Sequence, residues 1–164
     1  MRKAALILTL GTAFSLAAAE PQFGVQGAVS LPLSTLSDNG SLGLELGGHG
    51  RWYFQEGHGL MARADLAFYS SNNGVSVTGF ELAADYTYPL ERRPEGAYLL
   101  AGLSQANYHT SFPNHTDNDS ALGLDLGAGY DLDRHLGLQA RFTTHSLGNS
   151  KTYGALNVGV TYSF

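Results

Sequence analysis

The sequence predicts an all-β fold, an eight-stranded antiparallel up-and-down transmembrane β-barrel with a filled polar interior. Three observations predict it. Eight segments alternate apolar and polar residues, and helical periodicity is nearly absent. Successive strand side chains point to opposite faces, so each segment has one apolar and one polar face. Connections after the odd segments are longer and polar, whereas those after the even segments are shorter and carry more charge, as in a barrel with short turns at one rim. The apolar faces carry no charge at the centre of any well-defined segment, where a Lys or Arg at a bilayer midplane would cost about 2–4 kcal/mol.

Residues 1–19 are expected to be a cleavable signal peptide, leaving 20–164 as the barrel domain. Arg2 and Lys3 form a basic start, Ala4 to Leu16 a short apolar run, and Ala17-Ala18-Ala19 a small-residue cleavage site before Glu20. Without Arg2 and Lys3, seven basic residues remain against fourteen acidic ones, and Lys151 is the last lysine. Such an acidic, lysine-poor chain is no nucleic-acid binder. There is no cysteine, hence no disulfide framework and no thiolate metal site.

The first segment, Phe23 to Leu31, sets Phe23, Val25, Gly27, Val29 and Leu31 on one face. A polar loop is expected over Pro32 to Gly40. The second segment, Leu42 to Phe54, has Leu42, Leu44, Leu46, Gly48, Gly50, Trp52 and Phe54 opposite Gly43, Glu45, Gly47, His49, Arg51 and Tyr53. After a turn at Gln55 to His58, the third runs from Leu60 to Phe68, with Arg63 and Asp65 on its polar face. Ser70 to Gly74 has turn chemistry. The fourth, Val75 to Tyr88, sets Phe80, Leu82, Ala84, Tyr86 and Tyr88 against Glu81, Ala83, Asp85 and Thr87, and Pro89 stops it.

The fifth segment, Tyr98 to Tyr108, alternates weakly, because Leu99, Leu100 and Leu103 do not share a face. Its inward side is left open. A long polar loop is expected over His109 to Ser120. The sixth, Leu122 to Leu132, sets its leucines against Gly123, Asp125, Gly127, Gly129 and Asp131. A tight turn at Asp133 to His135 leads to the seventh, Leu136 to Thr144, with Gln139 and Arg141 on the polar face. A last loop, His145 to Thr152, precedes the eighth segment, Gly154 to Phe164, which alternates to the final residue.

Two short stretches recur. Ser41 to Gly48 matches Ala121 to Ala128, and Gly59 to Arg63 matches Gly137 to Arg141. Either a duplicated four-stranded half or one geometry imposed twice explains this.

The even segments end in aromatics: Trp52 and Phe54, Tyr86 and Tyr88, Tyr130, Tyr162 and Phe164. In an up-and-down order these ends share one rim, which makes an aromatic girdle of the kind expected at a bilayer interface. Phe23, Phe68, Tyr98 and Tyr108 lie near the ends of odd segments and are expected to join it. The polar faces carry Glu45, Arg51, Arg63, Asp65, Glu81, Asp85, Asp125 and Arg141. An interior of eight strands is narrow enough to be filled by side chains. Buried charges need partners, so these eight are expected to form a lumen charge network. Pairing Leu132 with Leu136 places Arg141 opposite Gly127 and diagonal to Asp125. The register between segments two and three stays open, and one option puts Arg51 opposite Arg63.

The terminal strand, which ends in Phe164 with aromatic or aliphatic residues at alternate positions before it, resembles the assembly signal of Gram-negative outer-membrane proteins. Over residues 22–164 the chain resembles the small eight-stranded barrel class of OmpA and OmpX. This implies a cell-envelope protein of the bacterial outer membrane, with outer-membrane lipids as surroundings and with periplasmic chaperones and the barrel assembly machinery as partners during biogenesis. No peptidoglycan-binding domain is expected after the barrel, so the resemblance does not imply an anchoring role.

Some barrels of this size are lipid A deacylases with a His-x-Ser motif. Here Ser146 follows His145 directly, and no acidic residue after Asp133 is present to orient the histidine. His109, His115, Asp117 and Asp119 share one stretch but have irregular spacing and read as a solvated loop. The expectation is therefore a protein without enzyme activity, cofactor or metal, in a structural or surface-interaction role. Its alternatives are a lipid-modifying enzyme and a soluble periplasmic barrel holding a small apolar ligand.

Overall fold

Eight antiparallel strands close on themselves in sequence order, β1 to β8, with β8 returning to pair with β1. The computed structural model describes residues 20–72, 75–91, 95–147 and 151–164. The expected signal segment, residues 1–19, lies outside them. The strands are β1 (Gln22–Ser34), β2 (Gly40–Tyr53), β3 (Gly59–Asn72), β4 (Val75–Pro89), β5 (Gly96–Ser111), β6 (Thr116–Asp131), β7 (Leu136–Leu147) and β8 (Lys151–Ser163). A short helix, α1 (Thr35–Asn39), joins β1 to β2, and a single 3₁₀ turn over Gln55–Gly57 joins β2 to β3.

The barrel is inside-out relative to a soluble one. Leu46, Leu103 and Leu122 are 60%, 67% and 68% exposed, whereas Asp85 and Asp125 are 0% exposed. Period-two alternation carries this division along every strand. Closure follows from stagger. One hydrogen-bonded row runs Gly24, His49, Arg63, Ala83, Ser104, Gly123, His145 and Tyr153, then returns to β1 at Ser34, ten residues beyond its start. Such a shift tilts the strands and sets a diameter that side chains can fill.

The strands are longer than alternation predicts, and most of the extra length is at the rim opposite the chain end. The expected loop His109 to Ser120 is mostly ladder: His109 pairs with Asn118, Thr110 with Asp117 and Ser111 with Thr116. The expected loops at Pro32 to Gly40, Ser70 to Gly74 and His145 to Thr152 likewise begin or end as strand. Beyond the bilayer both faces of a strand can be polar, so composition stops marking the boundary. Gly96 opens β5 with φ of 105°, a conformation that glycine adopts without strain.

β5 becomes legible only in the barrel. Tyr98, Leu100, Ser104, Ala106, Tyr108 and Thr110 point inward, and Leu99 and Leu103 point out. Leucine at both parities hid this. Leu100 sits inside, where a filled lumen accepts apolar side chains as well as polar ones.

The interior is layered. At the end away from the chain terminus, Leu36 of α1, Tyr69, Val77, Ala106, Tyr108, Ala121, Tyr153 and Ala155 form an apolar cap. The middle and the opposite end hold the charges. Leu36 is 1% exposed and closes the cap from above. Truncating a buried leucine typically costs 2–5 kcal/mol. Leu36→Ala is expected near the lower bound, about 2 kcal/mol, because the cavity would open to water at the rim. A urea titration in detergent micelles measures it.

Candidate functional site

The interior side chains are held by strand register. His49 lies opposite Arg63 and Met61 opposite Arg51, so the option that faced Arg51 with Arg63 does not occur. Gly127 lies opposite Arg141, as the Leu132–Leu136 pairing requires.

Arg63 is the centre of the lumen. Its Nε donates to Asp85 Oδ2 at 2.5 Å, and its Nη2 donates to Asp125 Oδ2 at 2.7 Å and to Glu81 Oε1 at 3.2 Å. Its Nη1 donates to Asp65. One guanidinium thus gathers four carboxylates from β3, β4 and β6, all of them buried. A planar fork of five N–H donors can do this; an ammonium cannot. Gly102 makes room on β5 between Asp85 and Asp125, both of which pair with it. A Cβ at Gly102 would collide with Asp85 Oδ1 and come within 2.5 Å of the Ala84 carbonyl oxygen.

Arg141 does not bind its diagonal neighbour Asp125. Its Nη2 reaches across the lumen to Glu45 Oε1 at 2.5 Å and lies 3.7 Å from Asp65 Oδ2. Arg51 donates to Asp131 at 2.7 Å and to the Tyr53 and Tyr98 hydroxyl oxygens at 3.0 and 3.1 Å, and it stacks over the Tyr98 ring at 4.8 Å. Gln139 Nε2 also donates to the Tyr98 oxygen, and Arg141 donates to Gln139 Oε1. A continuous polar chain therefore links Asp131, at the end with the chain terminus, to Glu45 in the middle.

The eight expected lumen charges all lie inside, with Asp131, Tyr98, Gln139, His49 and His145 among them. Strand parity marks Asp131 and Gln139 beforehand. Tyr98 was hidden by the ambiguity of β5. His145 was hidden because β7 was expected to stop at Thr144. Every strand contributes a side-chain hydrogen bond across the interior, including Gln26 to Asp65 from β1 and Ser163 to His49 from β8.

His145 is 0% exposed. Its Nε2 lies 3.1 Å from Ser104 Oγ and 3.6 Å from Glu81, and its Nδ1 lies 3.0 Å from the Tyr108 hydroxyl. A triad needs the acid on the nitrogen remote from the serine. Here serine and acid share Nε2. In the β5–β6 hairpin, His109 Nδ1 lies 2.7 Å from Asn118 Oδ1, and His115 lies 3.8 Å from Asp117. Among the described residues no three such groups converge on a metal position.

Among the described residues, the larger open space within the lumen lies at one end. A vestibule of about 230 Å³, lined in part by Arg51, Tyr53, Asp131 and Thr161, opens beside the chain terminus. Deeper in, the voids beside Glu81 and beside Arg141 measure only about 10 Å³ each. A void of that size holds at most one water.

Trp52, Phe54, Tyr86, Tyr88, Tyr130, Tyr162 and Phe164 ring the rim where the vestibule opens. Tyr86 pairs with Leu60, Tyr88 with Leu99, Tyr130 with Leu138 and Tyr162 with Leu136, all outward-facing. His58 and His135 join them. His58 Nδ1 is 2.6 Å from the Tyr86 hydroxyl, and His135 stacks on Tyr162. Of the aromatics expected to join the girdle from odd strands, Phe23 does. Phe68 sits toward the opposite rim, and Tyr98 and Tyr108 point into the lumen. In the β6–β7 turn, the Leu136 and His135 backbone N–H groups donate to Asp133 and hold its carboxyl below the usual range.

A sequence model described as the outer membrane protein beta-barrel domain matches residues 4–164. The chain belongs to this family. Among solved structures, this outer-membrane barrel is similar to Ail, the attachment invasion locus protein of Yersinia pestis, at 14% identity and a TM-score of 0.60, covering 88% of this chain and 97% of that one. It is also similar to neisserial surface protein A (NspA), at 16% identity, 0.57, and 90% and 99% coverage. A third likeness is to the N-terminal β-barrel domain of OprF from Pseudomonas aeruginosa, at 15% identity, 0.56, and 90% and 99% coverage. No curated protein matches the sequence.

The outer-membrane barrel thus resides in the bacterial outer membrane. Its apolar exterior is the lipid face, and the soluble-barrel alternative is set aside because the apolar faces point outward. The rim carrying the chain end and the girdle is taken as periplasmic, and the rim of α1 and the β5–β6 hairpin as the outer one. The expected difference in connection length is absent, because the polar stretches after the odd strands are largely paired as strand.

Proposed function

We propose that this outer-membrane barrel is a non-enzymatic wall element, closed to diffusion, that stabilises the envelope and presents its outer end to a surface partner. One observation carries the reading: Arg63 draws four carboxylates from three strands onto one point of the lumen axis, below an apolar cap. Groups held this way brace a wall and leave no room for a substrate. The outer membrane supplies its lipid partners. The assembly machinery and periplasmic chaperones act on it during biogenesis, with the terminal strand as their recognition element.

The outer end bears Asp38, Asp117 and Asp119 against a single Lys151. Ail has been crystallised with the heparin analogue sucrose octasulfate. The acidic outer end of this chain disfavours such a polyanion and favours a neutral or cationic partner. A lipid-modifying activity has the Ser104–His145 contact in its favour, but both side chains are sealed from the lipid face.

Planar-bilayer recordings on the purified barrel are expected to stay at baseline. Sustained conductance steps would overturn the closed-lumen reading. Mass analysis of lipid A after incubation with the protein is expected to show unchanged acyl chains, and loss of a chain would establish the enzyme instead.

A further inference from the structure

The lipid face changes character near the outer edge of β5, β6 and β7. On β1 the outward residues stay apolar from Phe23 through Val25, Gly27, Val29 and Leu31 to Leu33. On β5 they run Leu99, Ala101 and Leu103, then become Gln105 and Asn107. On β7 they run Leu138, Ala140 and Phe142, then become Thr144 and Ser146. Between these two strands β6 is still apolar at Leu124 and Leu122, which are 56% and 68% exposed.

Register places the polar groups beside lipid-facing leucines. Gln105 stands between Leu82 of β4 and Leu122 of β6, and Ser146 stands on the other side of Leu122. Thr144 stands beside Leu124. None of the three side chains has a hydrogen-bond partner among the described residues. In water this would cost nothing. Against hydrocarbon, an amide or hydroxyl without a partner is costly. Thr144 and Ser146 are also short, and a furrow of about 270 Å³ opens there, walled by Leu103, Leu122 and Leu124.

We propose that this furrow is a lipid-binding site for an outer-leaflet glycolipid whose acyl chains are amide-linked and hydroxylated. One acyl chain lies against Leu103, Leu122 and Leu124, and the linkage amide and hydroxyl bond to Gln105, Thr144 and Ser146. The donor–acceptor balance selects this class. The linkage esters of a glycerophospholipid offer only acceptors at that depth. Gln105 presents an acceptor oxygen as well as donors, and an amide N–H or a chain hydroxyl satisfies it.

The test uses the full-length protein extracted from outer membranes, with bound lipids identified by native mass spectrometry. The wild type is expected to retain glucosamine-based hydroxyacyl lipid. The variant Gln105→Leu/Thr144→Val/Ser146→Ala is expected to retain severalfold less, with an unchanged heat-dependent gel shift. A control, Ser70→Ala/Thr78→Val, elsewhere on the outer rim, is expected to retain as much as wild type. Equal retention by the triple variant, or retention of glycerophospholipid alone, would overturn the proposal. Should the triple variant fail to assemble, a photo-crosslinking residue at Leu122 in an otherwise wild-type chain decides. A glycolipid adduct supports the site, and an adduct with a second copy of this chain rejects it.

Discussion

Arg63→Met is expected to remove most of the stability of the folded barrel. The substitution keeps an unbranched apolar stem and removes the guanidinium head with its charge and all its donors. Asp65, Glu81, Asp85 and Asp125 would then be left in the lumen without their shared cation. Breaking a single buried pair by removing one partner typically costs about 3–5 kcal/mol. Four carboxylates around one vacant centre place Arg63→Met at or above the top of that range. Single domains hold only about 5–15 kcal/mol in total.

Arg63→Lys is expected to recover little, because one ammonium cannot serve groups arriving from three strands. Adding Asp85→Asn and Asp125→Asn to Arg63→Met is expected to restore part of the loss, since the residues act as one network. Urea midpoints of refolded protein, followed by the gel shift between unheated and heated samples, read all three. If Arg63→Met unfolds at the wild-type midpoint, the brace carries no stability.

Phe164→Asp is expected to act on assembly instead. Its backbone N–H donates to the Phe23 carbonyl at 2.9 Å, a bond that any residue can make. The ring is 73% exposed and touches Tyr162 edge-on. A charge at the bilayer rim costs about 0–1 kcal/mol, far less than at the midplane. The purified, refolded variant is therefore expected to match wild type in urea. In cells, the amount of assembled barrel is expected to fall to a small fraction, because the terminal aromatic would be what the assembly machinery reads. Outer-membrane fractionation with immunoblotting measures it, and normal levels of assembled protein would show that the ring is not the signal.

The strand count, the apolar exterior and the girdle at the even-strand ends are legible in the chain because a bilayer imposes period-two alternation on every strand that crosses it. Legibility fails where that constraint ends. Above the bilayer, the polar run His109 to Ser120 reads as a loop yet pairs as a ladder, since both faces meet water or the lumen. The short helix α1 is invisible for a similar reason. Leu36 is a lone apolar residue in a polar stretch, and only the barrel mouth gives it a place to be buried. The lumen charges can be assigned to one face beforehand, but their partners cannot. Diagonal reach points Arg141 toward Asp125, and the narrow lumen lets it cross to Glu45 instead. Pairing across a barrel depends on stagger, which no single strand encodes.

Among the described residues, every interior arginine spans the same divide. Arg51 and Arg63, from the first four strands, reach Asp131 and Asp125 in the last four, and Arg141, from the last four, reaches Glu45 and Asp65 in the first. The recurring stretches make Glu45 the counterpart of Asp125 and Arg63 the counterpart of Arg141, so Arg63–Asp125 and Arg141–Glu45 are one contact made twice. Reciprocity of that kind defines an isologous interface, in which a residue of one subunit meets its counterpart's partner in the other. These two contacts are related to each other as the paired contacts of a two-fold dimer are, here within one chain. Severed in the β4–β5 turn, the barrel would yield two four-stranded pieces whose interior charges select each other.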